Sequence, residues 1–115
     1  VAENILEGRF VPMSQEEFEL AWRDRGKGEV FFMDARVGRD AEPFTAKYPE
    51  HWHSIPQDQI AARLGEIPAD RPVVLVCNTG LRSYEAQLDL AALGRRNTRS
   101  VQGGVSSARR LGTDI

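Results

Sequence analysis

Four consecutive apolar residues, Val73-Val74-Leu75-Val76, run into Cys77-Asn78-Thr79-Gly80-Leu81-Arg82-Ser83 and then into a helical pattern. Three of the four are β-branched, so the run reads as a short strand buried on both faces. A helix that follows so closely points to a parallel sheet, because parallel neighbours need a crossover connection and helices supply it. Cys77, the only cysteine of the chain, lies where this strand ends. A glycine loop closing onto a helix N-terminus aims backbone N–H groups inward and adds the positive end of the helix dipole. A sulfur held there is favoured as its anion, and a thiolate is a nucleophile.

The same alternation repeats along the chain. Ser14-Gln15-Glu16-Glu17 has the form of a capping box, followed by Phe18, Ala21 and Trp22 on one helical face. Gly26 and Gly28 stop that helix, and Trp22 on its stripe reads as core rather than a ligand-stacking residue. Val30-Phe31-Phe32-Met33 is a second buried strand, closing in Asp34-Ala35-Arg36. Asp40 is expected to cap a short helix through Lys47 that ends at Pro49. Gln57 to Gly65 reads as a helix with Ile60 and Leu64 one turn apart, and Ile67 to Pro72 as a turn. Ser83 to Leu93 is the long helix, with Ala86, Leu90 and Leu93 on its buried face and Gly94 at its end. Thr98 to Val101 is a further short strand, and Gln102-Gly103-Gly104-Val105 turns into a last helix through Leu111. Ahead of all this, Ile5, Leu6, Phe10 and Val11 are expected to form an irregular lead-in with a short edge strand. The expected fold class is α/β, an open parallel sheet with helices on both faces and the ligand site at the carboxyl ends of its strands.

At 115 residues the chain is expected to form one domain with one core. Its 15 basic and 17 acidic residues nearly cancel, which argues against nucleic acid as a partner. No apolar run approaches the roughly 20 residues of a membrane span. A single cysteine excludes an internal disulfide and any multi-cysteine metal centre. His51 and His53 form a His-x-His pair, but no further Cys or His completes a metal site, so no metal is expected. Trp52 between them is read as an anchor onto the core rather than a substrate contact. The chain opens at Val1, which fits a mature protein after cleavage or a piece of a longer polypeptide. A cytoplasmic location is the expectation, with a periplasmic one as the alternative.

Cys77-Asn78-Thr79-Gly80-Leu81-Arg82-Ser83 closely resembles the C-x-x-G-x-R-S active-site loop of rhodanese-family sulfurtransferases, placed as there between strand and helix. Asp34-x-Arg36 resembles the Asp-x-Arg that closes an equivalent strand in that family. Gly103-Gly104 resembles the glycine pair after its last strand, where backbones pass closely. The family's Gly-His-Ile-x-Gly-Ala segment is replaced here by Tyr48-Pro49-Glu50-His51-Trp52-His53-Ser54, although Ile55-Pro56 fits its end. That connection is rebuilt.

The resemblance implies a rhodanese-like domain over residues 1–115 and a sulfurtransferase without a cofactor. Cys77 takes a sulfane sulfur from thiosulfate or a persulfide and passes it to cyanide or a thiol. Residues Asn78, Thr79, Gly80, Leu81, Arg82 and Ser83 bind the substrate. Arg82 either faces an anionic donor or folds back on an acidic residue such as Asp34. Bracing is preferred, because backbone amides already serve the anion. Asp34 and Arg36 are read as structural, and a base such as His51 or His53 is unnecessary. The family's alternatives are a binding, sulfur-relay or sensor module with a protein acceptor or fused domain, and a redox-sensing thiol. Phosphatases of this fold carry five residues between Cys and Arg, and Cys77 and Arg82 enclose only four, a ring suited to one sulfur rather than a phosphoryl group.

Overall fold

A computed structural model describes residues 12–115. The lead-in from Ile5 to Val11 lies outside the described residues. Helix α1, Gln15–Arg23, carries the capping box anticipated for it: the Glu17 amide donates to Ser14 Oγ and the Ser14 amide to the Glu17 carboxylate. Strand β1 is Phe31–Asp34, α2 Gly38–Lys47, β2 Trp52–Ser54, β3 Val73–Val76, α3 Leu81–Ala92, β4 Thr98–Ser100 and α4 Gly104–Arg110. The four strands are all parallel, in the order β2-β1-β3-β4. Met13 adds a parallel bridge to Val101 beyond β4.

The two central strands are buried at every position: β3 is apolar throughout, and β1 is apolar up to Asp34, whose buried carboxylate is paired. Register decides which side each residue serves, since successive side chains point to opposite faces. Phe32 pairs with Val74 and Met33 with Leu75. Phe32, Val74 and Val76 therefore pack with Phe18 and Trp22 of α1, Phe44 of α2, and Val105 and Ala108 of α4. Met33, Val73 and Leu75 pack with Ala86 and Leu90 of α3 and with Ile55, Ile60 and Ile67. Three helices cover one face; α3 and the turns between β2 and β3 cover the other. Cys77 and Arg36 follow the carboxyl ends of β3 and β1, side by side.

Several elements differ from the sequence expectation. Helix α2 starts at Gly38 behind Val37 and has no side-chain cap, so Asp40 lies inside its first turn instead of capping it. The amides of Asp40 and Ala41 both donate to the Val37 carbonyl, which closes that first turn without help. Residues 57–66 do not form one helix but two 3-10 turns, Gln57–Gln59 and Leu64–Glu66, which drop Ile60 and Ile67 into the core. Helix α3 begins two residues early, at Leu81, and its buried face is Ser83, Ala86, Gln87 and Leu90. Leu93 is exposed, because Gly94 turns the chain away and Gln87 takes the inward position. The Gln87 amide is satisfied there by donating to the Thr98 carbonyl at 2.9 Å, which ties α3 to β4. His51-Trp52-His53 is not a loop: Trp52 and His53 open strand β2 at the edge of the sheet.

Candidate active site

Two helix N-termini converge on residues 77–83. Gly80 is the N-cap of α3, with φ +101°, and has no side chain to bond the amide three residues on. In most helices a Ser, Thr, Asp or Asn side chain does this. Here Cys77 Sγ takes that place. It accepts from the Gly80 amide at 3.0 Å and from the Ser83 amide at 3.3 Å, and the Ser83 hydroxyl lies 3.5 Å away. That hydroxyl also donates to the Gly80 carbonyl. A sulfur that caps a helix sits where orphan N–H groups and the helix dipole both favour negative charge.

Helix α4 orients the same loop from behind. The Val105 amide donates to the Cys77 carbonyl at 2.8 Å and the Ser106 amide to the Asn78 carbonyl at 3.0 Å. With these two carbonyls held toward α4, the amides of the same peptide units, Asn78 and Thr79, face away from that helix. Gly104 makes this approach possible: its φ is +58°, and its backbone lies directly against Cys77 and Asn78.

A buried polar cluster holds the front of the loop. Asp34, fully buried, accepts from the Arg36 guanidinium at 2.7 Å, from the Arg36 amide at 3.0 Å and from Trp52 Nε1 at 2.8 Å. Arg36 Nη1 reaches on to Asn78 Oδ1 at 2.9 Å, and the guanidinium lies over the Phe44 ring. Both Asp34 oxygens and all three Arg36 side-chain nitrogens are hydrogen-bonded, which favours a buried ion pair. The structural reading of Asp34 and Arg36 thus holds, and Trp52 is the core anchor expected of it, stacked on Phe44. Asn78 as a member of this cluster had no signal in the sequence, since 42 residues separate it from Arg36.

Arg82 does not brace the loop through Asp34, whose carboxylate is taken by Arg36 and Trp52. Instead it lines a cavity of about 220 Å³ with Cys77 in its wall, together with Arg36, Asp40, Asn78, Thr79, Leu81 and Glu85. Cys77 itself is only 2% exposed, whereas Leu81 at the rim is 68% exposed. Asp40 and Glu85 escaped the sequence reading. Glu85 had a signal, because it falls one helical turn after Arg82. Neither histidine lines this cavity. His53 stacks on Phe31 near the sheet edge, where burial, reinforced by Arg71 and His51, lowers its pKa. Among the described residues no group of three or more His, Cys, Asp or Glu side chains is arranged to hold a metal. No helix among them is long and apolar enough to cross a membrane.

Residues 17–110 match the family model of the rhodanese-like domain. A curated protein named sulfurtransferase, from Allochromatium vinosum, is 38% identical over 61 residues, covering 53% of this chain. The match spans only 57% of that relative's length. Among solved structures, a rhodanese-related protein from Thermoplasma volcanium superposes with a TM-score of 0.70 at 20% identity, over 91% of this chain and 96% of that one. A NAD-dependent persulfide reductase from A. fulgidus superposes with a TM-score of 0.61 at 28% identity, over 91% of this chain but 17% of that one.

Proposed function

Because this chain belongs to the rhodanese-like domain family, we propose that it is a sulfurtransferase, one domain over residues 1–115, that carries a sulfane sulfur on Cys77. The resemblance of the loop, the family match and the sulfurtransferase-named relative support the class of reaction. One observation carries the assignment to Cys77: its sulfur accepts two main-chain N–H groups while lining an open cavity.

The Cys77 thiolate attacks the outer sulfur of thiosulfate or of a persulfide. The donor's S–S bond breaks, and sulfite or the donor thiolate leaves with the electron pair. Cys77 is then a persulfide, and its terminal sulfur carries the negative charge. The amides from Asn78 to Ser83 receive that charge, and those of Gly80 and Ser83 already donate to the Cys77 sulfur. Cyanide or an acceptor thiolate attacks the terminal sulfur, releases thiocyanate or a new persulfide, and restores the Cys77 thiolate. The two half-reactions share one site, as in any double displacement. Asn78 and Thr79 keep the wall polar, Gly80 supplies the turn, and Arg82 at the rim draws in an anionic donor.

The test is release of thiocyanate from thiosulfate and cyanide, with mass spectrometry after donor treatment. Wild-type protein gains one sulfur and turns over, and Cys77→Ser does neither. Turnover that survives Cys77→Ser would rule out the proposal, as would hydrolysis of an aryl phosphate without any sulfur transfer. A second reading is favoured by the A. fulgidus structure, in which the matching part is a small share of a larger chain. Under it the domain relays sulfur to a fused or separate partner. Sulfur uptake by Cys77 without delivery to cyanide or a small thiol would select it.

A further inference from the structure

A second cavity of about 300 Å³ shares Arg82 and Glu85 with the one beside Cys77 and is lined also by Ala35, Val37, Pro56, Gln57 and Asp58. The charges lining these two cavities offer partners for more than an inorganic anion. The Arg36 guanidinium is already committed, with Nε and Nη2 on Asp34 and Nη1 on Asn78. Among the lining residues Arg82 is the remaining cation; it shares the first cavity with Asp40 and Glu85 and the second with Glu85 and Asp58. Among the described residues, neither the Asp40 nor the Glu85 carboxylate forms a hydrogen bond or ion pair. Thiosulfate finds a partner in Arg82 but none in these carboxylates. A donor that carries both an ammonium group and a carboxylate meets a partner for each.

We propose that Asp40 and Glu85 determine donor specificity by binding the ammonium group of a small amino-acid persulfide, while Arg82 takes its carboxylate. The inference deepens the sulfur-transfer reading of Cys77 and rests on it. The persulfide's outer sulfur is delivered to Cys77, the donor's S–S bond breaks, and the amino-acid thiolate leaves with the electron pair. Neutralising the two carboxylates removes the discrimination without touching the sulfur or its amides. Like-charge and opposite-charge contacts at a half-open rim change rates by modest factors each, and two acting together are measurable.

The experiment compares persulfides of cysteine and N-acetylcysteine, which differ in the ammonium group, as donors to wild-type protein and to the Asp40→Asn/Glu85→Gln double variant. The readout is kcat/KM for each donor, with Cys77 persulfide formation followed by mass spectrometry. The preference for the cysteine persulfide is expected to be roughly threefold or more larger in the wild type than in the double variant. A smaller difference overturns the inference and leaves sulfur transfer by Cys77 standing. No sulfur uptake from either donor or from thiosulfate removes the sulfur-transfer reading, and the inference with it.

Discussion

A Cβ atom on Gly104 would lie 2.2 Å from the carbonyl oxygen of Cys77. The last helix and the cysteine loop are thus in direct backbone contact, with room for a hydrogen atom and nothing larger. Gly104→Ala is expected to destabilise the protein by about 2 kcal/mol or more, from its left-handed backbone and the contact together. Gly112→Ala is the control: its φ is +87° but nothing lies within 4 Å, so only the backbone penalty of about 1 kcal/mol remains. Urea unfolding of the two variants measures the difference, and equal losses would mean that the contact yields easily.

Gly80 tests the cradle itself. Its φ of +101° is strained for any residue with a side chain, and a Cβ there would press on the Gly103 amide nitrogen at 3.2 Å. Gly80→Ala therefore displaces an amide that donates to Cys77 Sγ. Sulfur transfer is expected to fall by roughly a hundredfold to a thousandfold, as for loss of one preorganised donor. Unchanged kcat would show that this amide does not serve the reaction.

The Asp34 cluster predicts a graded series. Arg36→Ala leaves a fully buried carboxylate with one ligand fewer and no counter-charge, and is expected to cost about 3–5 kcal/mol. Trp52→Phe removes one hydrogen bond to that carboxylate, for about 2 kcal/mol. Asn78→Ala removes a bond at the edge of the cavity, for about 1 kcal/mol. Thermal or urea unfolding that reverses this order would contradict the description of Asp34 as the hub.

Glu17 predicts a dependence on acid. The Arg99 guanidinium and the Ser14 amide lower its pKa from 4.5 to about 2. The unfolded chain therefore takes up this proton more readily than the folded one, and the contribution to stability is complete above about pH 4.5 and fades as pH falls toward 2. Both side chains are substantially exposed, so salt screens the pair. Glu17→Gln is expected to cost about 1 kcal/mol near neutral pH, including the weakened capping box, and progressively less toward pH 2. A cost that stays constant across that range would exclude the ionised carboxylate as its source.

Local pattern was enough to establish much of this molecule. Two apolar runs, 30–33 and 73–76, each followed by a helix, specify central parallel strands, because a strand covered on both faces offers little place for polar side chains. Cys77 at a strand end, with Gly80 beyond it, specifies a sulfur at a helix N-terminus, and the family resemblance lay in those same few residues. What the sequence could not decide was every relationship across long separations. Arg82 was available to Asp34 by charge alone, but the planar guanidinium of Arg36, two residues away, reaches the carboxylate first and leaves Arg82 in the cavity wall. Gln87 and Leu93 compete for the buried side of one helix, and the outcome depends on where β4 places a free carbonyl. Periodicity reports which residues seek burial within one element. Which charges meet at the mouth of a site depends on how separate elements pack, and packing is a property of the folded chain.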